Sequence, residues 1–316
     1  MIRAFVFPGQ GSQAVGMGRG LAEAFPPARH VFQEVDEALK QKLSKLIFEG
    51  PESDLILTEN AQPALMAVSQ AVLKVLETEG KWTLAAKARF VAGHSLGEYS
   101  ALAAAGALSI PDAARLLKLR GQAMQKAVPV GIGAMAALLG LDLPQAKEIA
   151  AQAAKETGQV CSAANDNAPG QVVVSGHKEA VDRAIAIAAE KGAKRSVLLP
   201  VSAPFHCALM QPAADAMAEA LGNAKVNVPA VPVIANVTAA PVSDPEQIRK
   251  LLVEQVTATV RWRESVETMK KEGVTRIFEL GAGKVLAGLT KRIDREIEAS
   301  SVGTPEDIEA ALKALS

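Results

Sequence analysis

The sequence predicts an α/β fold in which helices cover both faces of a parallel β-sheet. Strand-like and helix-like segments alternate along almost the whole chain of 316 residues, and such alternation is typical of parallel strands joined by crossover helices. In addition, the segments within 130–199 follow the order βαββαβ, which is typical of a ferredoxin-like module. No internal repeat or low-complexity segment is present. We therefore expect a large α/β unit that carries a smaller inserted module.

The large unit begins with a buried strand at 4–7, followed by a tight polar loop at 9–13. A short strand at 90–93 leads directly into a turn centred on Ser95. Apolar residues at helical spacing, with Pro111 and Asp112 as one start signal, predict the helices. The remaining segments of the large unit are helices near 18–25, 28–39, 62–79, 96–105 and 112–128, a strand at 231–235, helices near 245–256 and 262–272, a strand at 276–280 and a helix at 284–294.

The inserted module lies between Pro129 and Pro200. Its predicted segments are a strand at 133–140, a helix at 143–157, a strand at 160–164, a polar turn at 165–170, a strand at 171–175, a helix at 178–190 and a strand at 193–199. We therefore assign 1–128 and 200–316 to a large subdomain and 129–199 to a ferredoxin-like small subdomain.

Composition and charge exclude several classes of function. Lys and Arg total 34 and Asp and Glu total 34, so the charge balance favours neither a nucleic-acid partner nor an anionic membrane surface. The chain has no uncharged run long enough to span a bilayer, and its apolar start is too short for a signal peptide. Cys161 and Cys207 are too few for a disulfide framework. We expect a cytoplasmic protein with reduced thiols.

A candidate nucleophile stands at the turn between the strand 90–93 and the helix that follows it. Ser95 is the centre of Gly93-His94-Ser95-Leu96-Gly97, the G-x-S-x-G pattern of a nucleophile elbow on a hydrolase-like sheet. Such a turn exposes the serine hydroxyl at the carboxyl end of the strand, above a helix N-terminus whose amides can stabilise an oxyanion. The alternative is a serine that only caps a helix behind a tight turn.

A serine nucleophile needs a general base, and the chain has four histidines. His94 adjoins Ser95, and neighbouring side chains at a sharp turn point apart, so we interpret His94 as a buried orienting residue. His30 and His177 lie in polar contexts typical of surface residues. His206 follows a strand in an irregular segment, where sites of α/β proteins collect, and elimination selects it as the base.

The residue that orients the base is less evident from the sequence. A hydrolase places its acid between the serine and the histidine in chain order, where Asp142, Asp166 and Asp182 are the candidates. All three fall in the inserted module, which makes them poor candidates. A backbone or side-chain carbonyl is the alternative acceptor.

Several motifs now occur together and in order along the chain. They are Phe7-Pro8-Gly9-Gln10-Gly11-Ser12-Gln13, Gly93-His94-Ser95-Leu96-Gly97-Glu98-Tyr99, Arg120-Gly121, Gly133-Ala134-Met135-Ala136, Asn167-Ala168-Pro169-Gly170-Gln171, Ser202-Ala203-Pro204-Phe205-His206 and Glu254-Gln255. This set resembles the malonyl-CoA:acyl carrier protein transacylase family of type II fatty acid synthesis over essentially the whole chain. The resemblance implies a ping-pong acyltransferase that uses malonyl-CoA and holo-acyl carrier protein, acts as a monomer, and needs no metal or organic cofactor.

The resemblance also implies roles for the residues of the reaction centre. Ser95 carries malonyl as an ester, and His206 takes the serine proton and later activates the phosphopantetheine thiol. The backbone amides of Gln10 and Leu96 form the oxyanion hole. The main-chain carbonyl of Gln255 orients His206, which fits the missing acid.

Three further residues are implied in substrate binding. Arg120 pairs with the free malonyl carboxylate and so selects malonyl over acetyl. Without the resemblance, an arginine in the helical run 115–120 is usually a surface residue. Asn167 contacts the substrate, although an Asn in this context is also ordinary turn chemistry. Phe205 fills the space that an α-methyl group of the acyl chain needs.

Other functions remain possible at this stage. An acyltransferase of a polyketide or malonate-decarboxylating system uses the same chemistry. A simple serine esterase explains the Ser95 turn but not Arg120, Gln10 or the absent acid. A catalytically silent docking scaffold does not need both Ser95 and His206. Lys194 and Arg195 are candidate contacts for an acidic carrier protein.

Overall fold

Ten strands form one sheet of six strands and one of four in a computed structural model that describes all 316 residues. The strands are β1 (Ile2–Phe7), β2 (Phe90–Gly93), β3 (Gly133–Leu139), β4 (Cys161–Ala168), β5 (Gln171–His177), β6 (Arg195–Leu198), β7 (Val233–Ile234), β8 (Pro241–Val242), β9 (Val274–Leu280) and β10 (Glu298–Val302).

Fifteen α-helices connect and cover these strands, and a 3₁₀ turn, Ala208–Met210, precedes the eleventh helix. The helices are α1 (Arg19–Ala24), α2 (Pro26–Leu39), α3 (Leu43–Glu49), α4 (Glu52–Leu55), α5 (Thr58–Gly80), α6 (Leu84–Lys87), α7 (Gly97–Ala104), α8 (Ile110–Ala127), α9 (Leu143–Thr157), α10 (Lys178–Glu190), α11 (Gln211–Asn223), α12 (Pro245–Gln255), α13 (Trp262–Lys271), α14 (Val285–Ile293) and α15 (Pro305–Leu315). None of them combines the length and apolarity needed to span a bilayer.

The larger sheet has the strand order β10-β9-β1-β2-β7-β8. Every neighbouring pair is parallel except β7 and β8, which form an antiparallel edge. The predicted α/β class with a parallel sheet is therefore confirmed. The short edge strand β8 makes the sheet mixed, and the sequence analysis did not predict it.

The two faces of the larger sheet pack against different helices. Phe5 and Phe7 belong to a buried cluster of 64 residues that includes α2, α5 and α8. The alternate residues of β1, Ala4 and Val6, belong to a second cluster of 15 residues that includes α13 and α14. Because successive side chains of a strand point to opposite faces, both faces are covered. The carboxyl ends of β1, β2 and β7 lie next to one another at one end of the sheet, and the candidate site is located there.

The smaller sheet is antiparallel, with the order β4-β5-β3-β6. Helices α9 and α10 pack on it around a separate cluster of 16 buried residues. The order of elements is the βαββαβ order that the sequence predicts for 130–199.

The predicted turn at 165–170 is wrong for most of its length. Strand β4 continues through Asn165, Asp166 and Asn167 to Ala168, and its register with β5 shifts twice along this stretch. Pairing with a neighbouring strand outweighs the turn preference of Asn and Asp, and the irregular register accommodates them. Asn167 thus lies in a strand, and only Pro169 and Gly170 remain in the turn.

Other elements were missed or misplaced at their ends. Helix α5 begins at Thr58, four residues before its predicted start, because the Pro63 within it obscures the helical pattern. The elements that were not predicted are α3, α4, α6, α11, β8, β10 and α15.

Candidate active site

The turn at Ser95 joins β2 to α7 and holds the serine in a left-handed conformation, with a φ of 54°. Such a value is uncommon for a residue other than glycine. A Cβ atom on Gly93 would lie 1.8 Å from the carbonyl oxygen of Gly97, and one on Gly97 would lie 2.3 Å from that of Phe7. Both glycines of the pattern are therefore required by close backbone contacts.

Hydrogen bonds from distant parts of the chain hold this turn. The Ser95 amide donates to Asn236 Oδ1 (2.8 Å), and Asn236 Nδ2 donates to the carbonyl of Gly93 (2.7 Å). The carbonyl of Ser95 accepts from Gln255 Nε2 (3.0 Å). The strained backbone is thus fixed from two sides.

His206 lies directly against the serine hydroxyl. Its Nε2 is 2.8 Å from Ser95 Oγ, and its Nδ1 is 2.8 Å from the main-chain carbonyl oxygen of Gln255. Because a carbonyl can only accept, Nδ1 carries the proton and Nε2 is free to accept from the serine hydroxyl. Burial lowers the pKa of His206 to about 3, with a further lowering by the charge of Arg120. The imidazole is therefore neutral near pH 7.

Arg120 is buried on the face of α8 that points to Ser95, with 1% of its surface exposed. Its Nη2 donates to Ser95 Oγ (3.1 Å) and to Gln255 Oε1 (2.7 Å), and its Nη1 donates to Gln62 Oε1 (2.8 Å). The guanidinium also lies 5.6 Å from the ring centroid of Tyr99. All its hydrogen-bond partners are neutral, so it is a buried cation that an anionic group can approach.

The neighbouring positive residues of α8 behave differently. Arg115 pairs with Asp112 at the surface, and Lys118 pairs with Glu59. Arg120 alone of the three turns to the site.

Three residues of the site were missed by the sequence analysis: Gln62, Glu98 and Asn236. Glu98 is buried three residues after Ser95, and its Oε2 accepts from Gln255 Nε2 (2.9 Å) and from the Asn236 amide (3.2 Å). Asn236 follows β7, next to the carboxyl end of β2. A polar residue just after a buried parallel strand was the signal that could have found it.

The candidate acids named from the sequence lie elsewhere. Asp166 pairs with Arg263 (2.9 Å), and Asp182 pairs with Lys178 (2.8 Å). Asp142 caps α9. None of them bonds to His206, which is oriented by a carbonyl instead.

A cavity of about 600 Å³ opens over the serine. Its walls include Gln10, Gln62, Ser95, Leu96, Arg120, Met124, Met135, Asn165, Phe205 and His206. Gln10 lies in the loop after β1, with its Nε2 3.4 Å from Thr58 Oγ1. Leu96 is the N-cap residue of α7. The predicted site residues that line this cavity are Gln10, Ser95, Leu96, Arg120, Phe205 and His206. Gln255 is fully buried behind them.

Asn167 is the predicted site residue that does not line the cavity. Its Oδ1 is 2.8 Å from His94 Nε2, and Asn165, two residues earlier in β4, lines the cavity instead. His94 is half-buried and burial lowers its pKa. The irregular register of β4 places one asparagine in the cavity wall and the other against His94.

The remaining predicted features lie away from the reaction centre. Cys161 and Cys207 are both buried free thiols. Lys194 and Arg195 are exposed at the start of β6. No group of three or more His, Cys, Asp or Glu side chains is arranged to hold a metal ion.

Comparison with known proteins gives the class first. Residues 4–292 match the acyl transferase domain family. The protein is therefore an acyltransferase, as expected for a serine and histidine paired at such a turn.

Full-length relatives then give the family. The malonyl CoA-acyl carrier protein transacylase of Bacillus subtilis is 47% identical over 312 residues, covering 99% of this chain and 96% of the relative. The Escherichia coli K12 protein of the same name is 47% identical over 310 residues, which cover 98% of this chain and 98% of that protein. This chain belongs to the malonyl CoA-acyl carrier protein transacylase family.

Solved structures agree with this assignment. The acyl-carrier-protein-S-malonyltransferase of Bartonella henselae superposes with a TM-score of 0.96 at 59% identity, covering 100% of this chain and 99% of that one. A malonyl-transacylase in complex with its type II PKS acyl-carrier protein superposes with a TM-score of 0.95 at 44% identity, covering 99% and 100%.

Proposed function

We propose that this protein transfers malonyl from malonyl-CoA to the phosphopantetheine thiol of holo-acyl carrier protein, through an ester on Ser95, to supply fatty acid elongation. The observation that carries the proposal is the environment of one atom. Ser95 Oγ lies 2.8 Å from the Nε2 of His206 and 3.1 Å from the Nη2 of Arg120. Nucleophile, base and carboxylate-binding group thus converge on a single oxygen.

In the first half-reaction, Ser95 attacks the malonyl thioester carbonyl while its proton moves to His206 Nε2. The backbone amides of Leu96 and Gln10 stabilise the oxyanion, and the N-cap position of Leu96 supports this role because amides at a helix N-terminus lack helical partners. The tetrahedral intermediate then expels the thiolate of CoA, which takes the proton from His206. The products are the malonyl ester of Ser95 and CoA.

In the second half-reaction, the carrier thiol replaces CoA. His206 takes the thiol proton, and the thiolate attacks the ester carbonyl in the same oxyanion hole. Ser95 Oγ leaves and recovers its proton from His206. Both half-reactions use the same residues, so no metal or organic cofactor is needed.

Gln255 serves as the orienting partner of His206 through its main-chain carbonyl. This carbonyl holds the Nδ1 proton (2.8 Å) and so directs Nε2 to the serine. Arg120 holds the pKa of His206 down. A malonyl carboxylate paired with Arg120 offsets that charge, so binding of the correct substrate makes His206 a stronger base.

Arg120 selects the acyl group. A planar guanidinium forms two parallel hydrogen bonds with a carboxylate, and an acetyl group offers the buried donors of Arg120 no such acceptor. Phe205 restricts the space beside the α-carbon. We propose that Asn165 contributes the polar contact first expected from Asn167, because it lines the cavity, whereas Asn167 supports His94.

The fold positions these residues through two subdomains. We propose that 129–199 form a ferredoxin-like small subdomain inserted into the hydrolase-like unit of 1–128 and 200–316. Its strand order, β4-β5-β3-β6, and its separate cluster of 16 buried residues support this division. We propose a monomer as the active species, because one copy of the chain supplies the nucleophile, the base and the arginine.

Labelled malonyl-CoA and mass spectrometry of the denatured protein test the proposed function. We expect one malonyl group on the peptide that contains Ser95, and its loss when holo-acyl carrier protein is added. Ser95→Ala should abolish labelling. Ser202→Ala is the matched control, since Ser202 lines the same cavity without contacting His206. Full-rate malonyl transfer by Ser95→Ala would disprove the mechanism.

A further inference from the structure

Glu98 is a buried carboxyl in the layer beneath the nucleophile, and the two half-reactions do not use it. Only 3% of its surface is exposed. Its hydrogen bonds, from Gln255 Nε2 and from the Asn236 amide, both go to Oε2. The other oxygen, Oε1, accepts none and can therefore carry a proton.

The side chain of Gln255 connects Glu98 to Arg120. The nitrogen of its amide faces Glu98 Oε2 at 2.9 Å, and the oxygen of the same amide accepts from Arg120 Nη2 at 2.7 Å. Because acceptors surround the amide nitrogen and a donor faces the amide oxygen, the orientation of this side chain is determined. Carboxylate and guanidinium are thus held one amide group apart.

The two charges balance each other in the free protein. Arg120 makes no direct contact with a carboxylate, since its three hydrogen bonds go to a hydroxyl and two amide oxygens. Burial raises the pKa of Glu98 and lowers the pKa of Arg120, and the charge of each group opposes the shift of the other. The buried pair is therefore neutral overall when Glu98 is ionised.

We propose that Glu98 is the counter-charge of Arg120 in the free protein, and that it takes up one proton from solvent when a substrate carboxylate pairs with Arg120. This inference rests on the proposed function. The incoming carboxylate adds a second negative charge to a site with one cation. Protonation of Glu98 at Oε1 restores neutrality without breaking either hydrogen bond to Oε2. Glu98 is thus a positioning residue that acts through Gln255.

The titratable groups of the site support this assignment. Burial raises the pKa of Glu98 to about 7, so a modest further rise in this pKa protonates the carboxyl near neutral pH. His206, on the loop after β6, has its pKa lowered to about 3, and Tyr99, on α7 itself, has its pKa raised by burial. Gln255 and Asn236 contribute neutral amides. Glu98 is therefore the residue of the site that changes its protonation state around pH 7.

The sign of the pH dependence follows from linkage. Below about pH 7 Glu98 is protonated in both the free and the malonylated protein, so acylation takes up no proton. Above that pH the free protein has lost this proton, and each malonyl ester formed recovers it. The equilibrium constant for acylation by malonyl-CoA therefore falls as the pH rises above 7, by up to about tenfold per pH unit.

Proton uptake on mixing the protein with one equivalent of malonyl-CoA tests the proposal. At pH 7.5, in weak buffer with an indicator dye, we expect roughly half a proton or more per malonyl ester. Acetyl-CoA, which brings no carboxylate, should cause no uptake for each acetyl ester formed. Glu98→Gln keeps an acceptor for both hydrogen bonds but not the charge, and it should abolish the uptake. Glu279→Gln, which changes another buried carboxyl outside the site, should behave like the wild type.

Two results would overturn the inference: no proton uptake by the wild type while the malonyl ester forms, or undiminished uptake by Glu98→Gln. If Glu98→Gln does not fold, the difference between malonyl-CoA and acetyl-CoA on the wild type still decides. Absence of any malonyl ester on Ser95 would instead refute the proposed function. Mass spectrometry on the same samples distinguishes these failures.

Discussion

Replacement of Arg120 by Ala tests how the site recognises a dicarboxylic acyl group. In the wild type the guanidinium is buried and donates hydrogen bonds to Ser95, Gln62 and Gln255. In the variant, the malonyl carboxylate enters the same cavity without a cation. Leaving one member of a buried ion pair unpaired costs about 3–5 kcal/mol. At about 1.4 kcal/mol for each tenfold change, kcat/KM for malonyl-CoA should fall by roughly two to four orders of magnitude.

Acetyl-CoA should respond differently, because its acyl group makes no carboxylate contact. We expect its kcat/KM in Arg120→Ala to stay within about tenfold of the wild type or to increase, so the ratio of malonyl to acetyl activity should collapse. Arg115→Ala is the matched control, since Arg115 lies on the same helix and pairs with Asp112 at the surface. The thermal midpoint of each variant reports any loss of stability. A malonyl kcat/KM within threefold of the wild type in folded Arg120→Ala would refute this reasoning.

Two further predictions concern the base and the turn. His206→Gln should slow acylation of Ser95 by roughly 10²–10⁴-fold in a rapid-quench assay. Because the pKa of His206 is about 3 in the folded protein and higher in the unfolded chain, the stability of the wild type should decrease as the pH falls from about 6.5 towards 3. This loss of stability should be smaller in His206→Gln, and an equal loss in both proteins would show that the imidazole is already protonated in the native state. Gly93→Ala should prevent correct folding, since its Cβ would lie 1.8 Å from the Gly97 carbonyl oxygen. Gly222→Ala is the control: its Cβ meets nothing within 4 Å, so denaturant unfolding should show no change in stability or a gain of up to about 1 kcal/mol. A stable, active Gly93→Ala protein would contradict the geometry.

The sequence predicts the elements of this fold best where one signal dominates. β1 is short and apolar apart from Arg3, β2 is short and apolar and ends at Gly93, and the two strands lie side by side at the centre of the sheet. The Ser95 turn is equally well specified, because close backbone contacts allow only glycine at positions 93 and 97. In these places a local pattern and the tertiary structure require the same residues.

Two of the missed site residues, Gln62 and Asn236, reach the site through contacts between segments that are far apart in the sequence. Gln62 reaches Arg120 because α5 packs against α8, and Asn236 reaches the Ser95 turn because β7 lies beside β2 in the sheet. Arg120 resembles its neighbours on α8 in sequence, and only its burial distinguishes it. The exchange of Asn167 for Asn165 has the same origin, because two shifts in the β4 register decide which side chain faces the cavity.

The absence of an acid beside His206 has a physical reason in this arrangement. Gln255 holds His206 through its main-chain oxygen and Arg120 through its side-chain oxygen, at 2.8 and 2.7 Å. A carboxylate in place of the Gln255 side-chain amide would pair directly with Arg120 and compete with the malonyl carboxylate for the same donors. The neutral main-chain carbonyl of Gln255 orients the imidazole, and its neutral side-chain amide leaves the charge of Arg120 available to the substrate. Because a thioester is more reactive than an amide, the weaker polarisation of the histidine suffices, and selectivity for malonyl is retained.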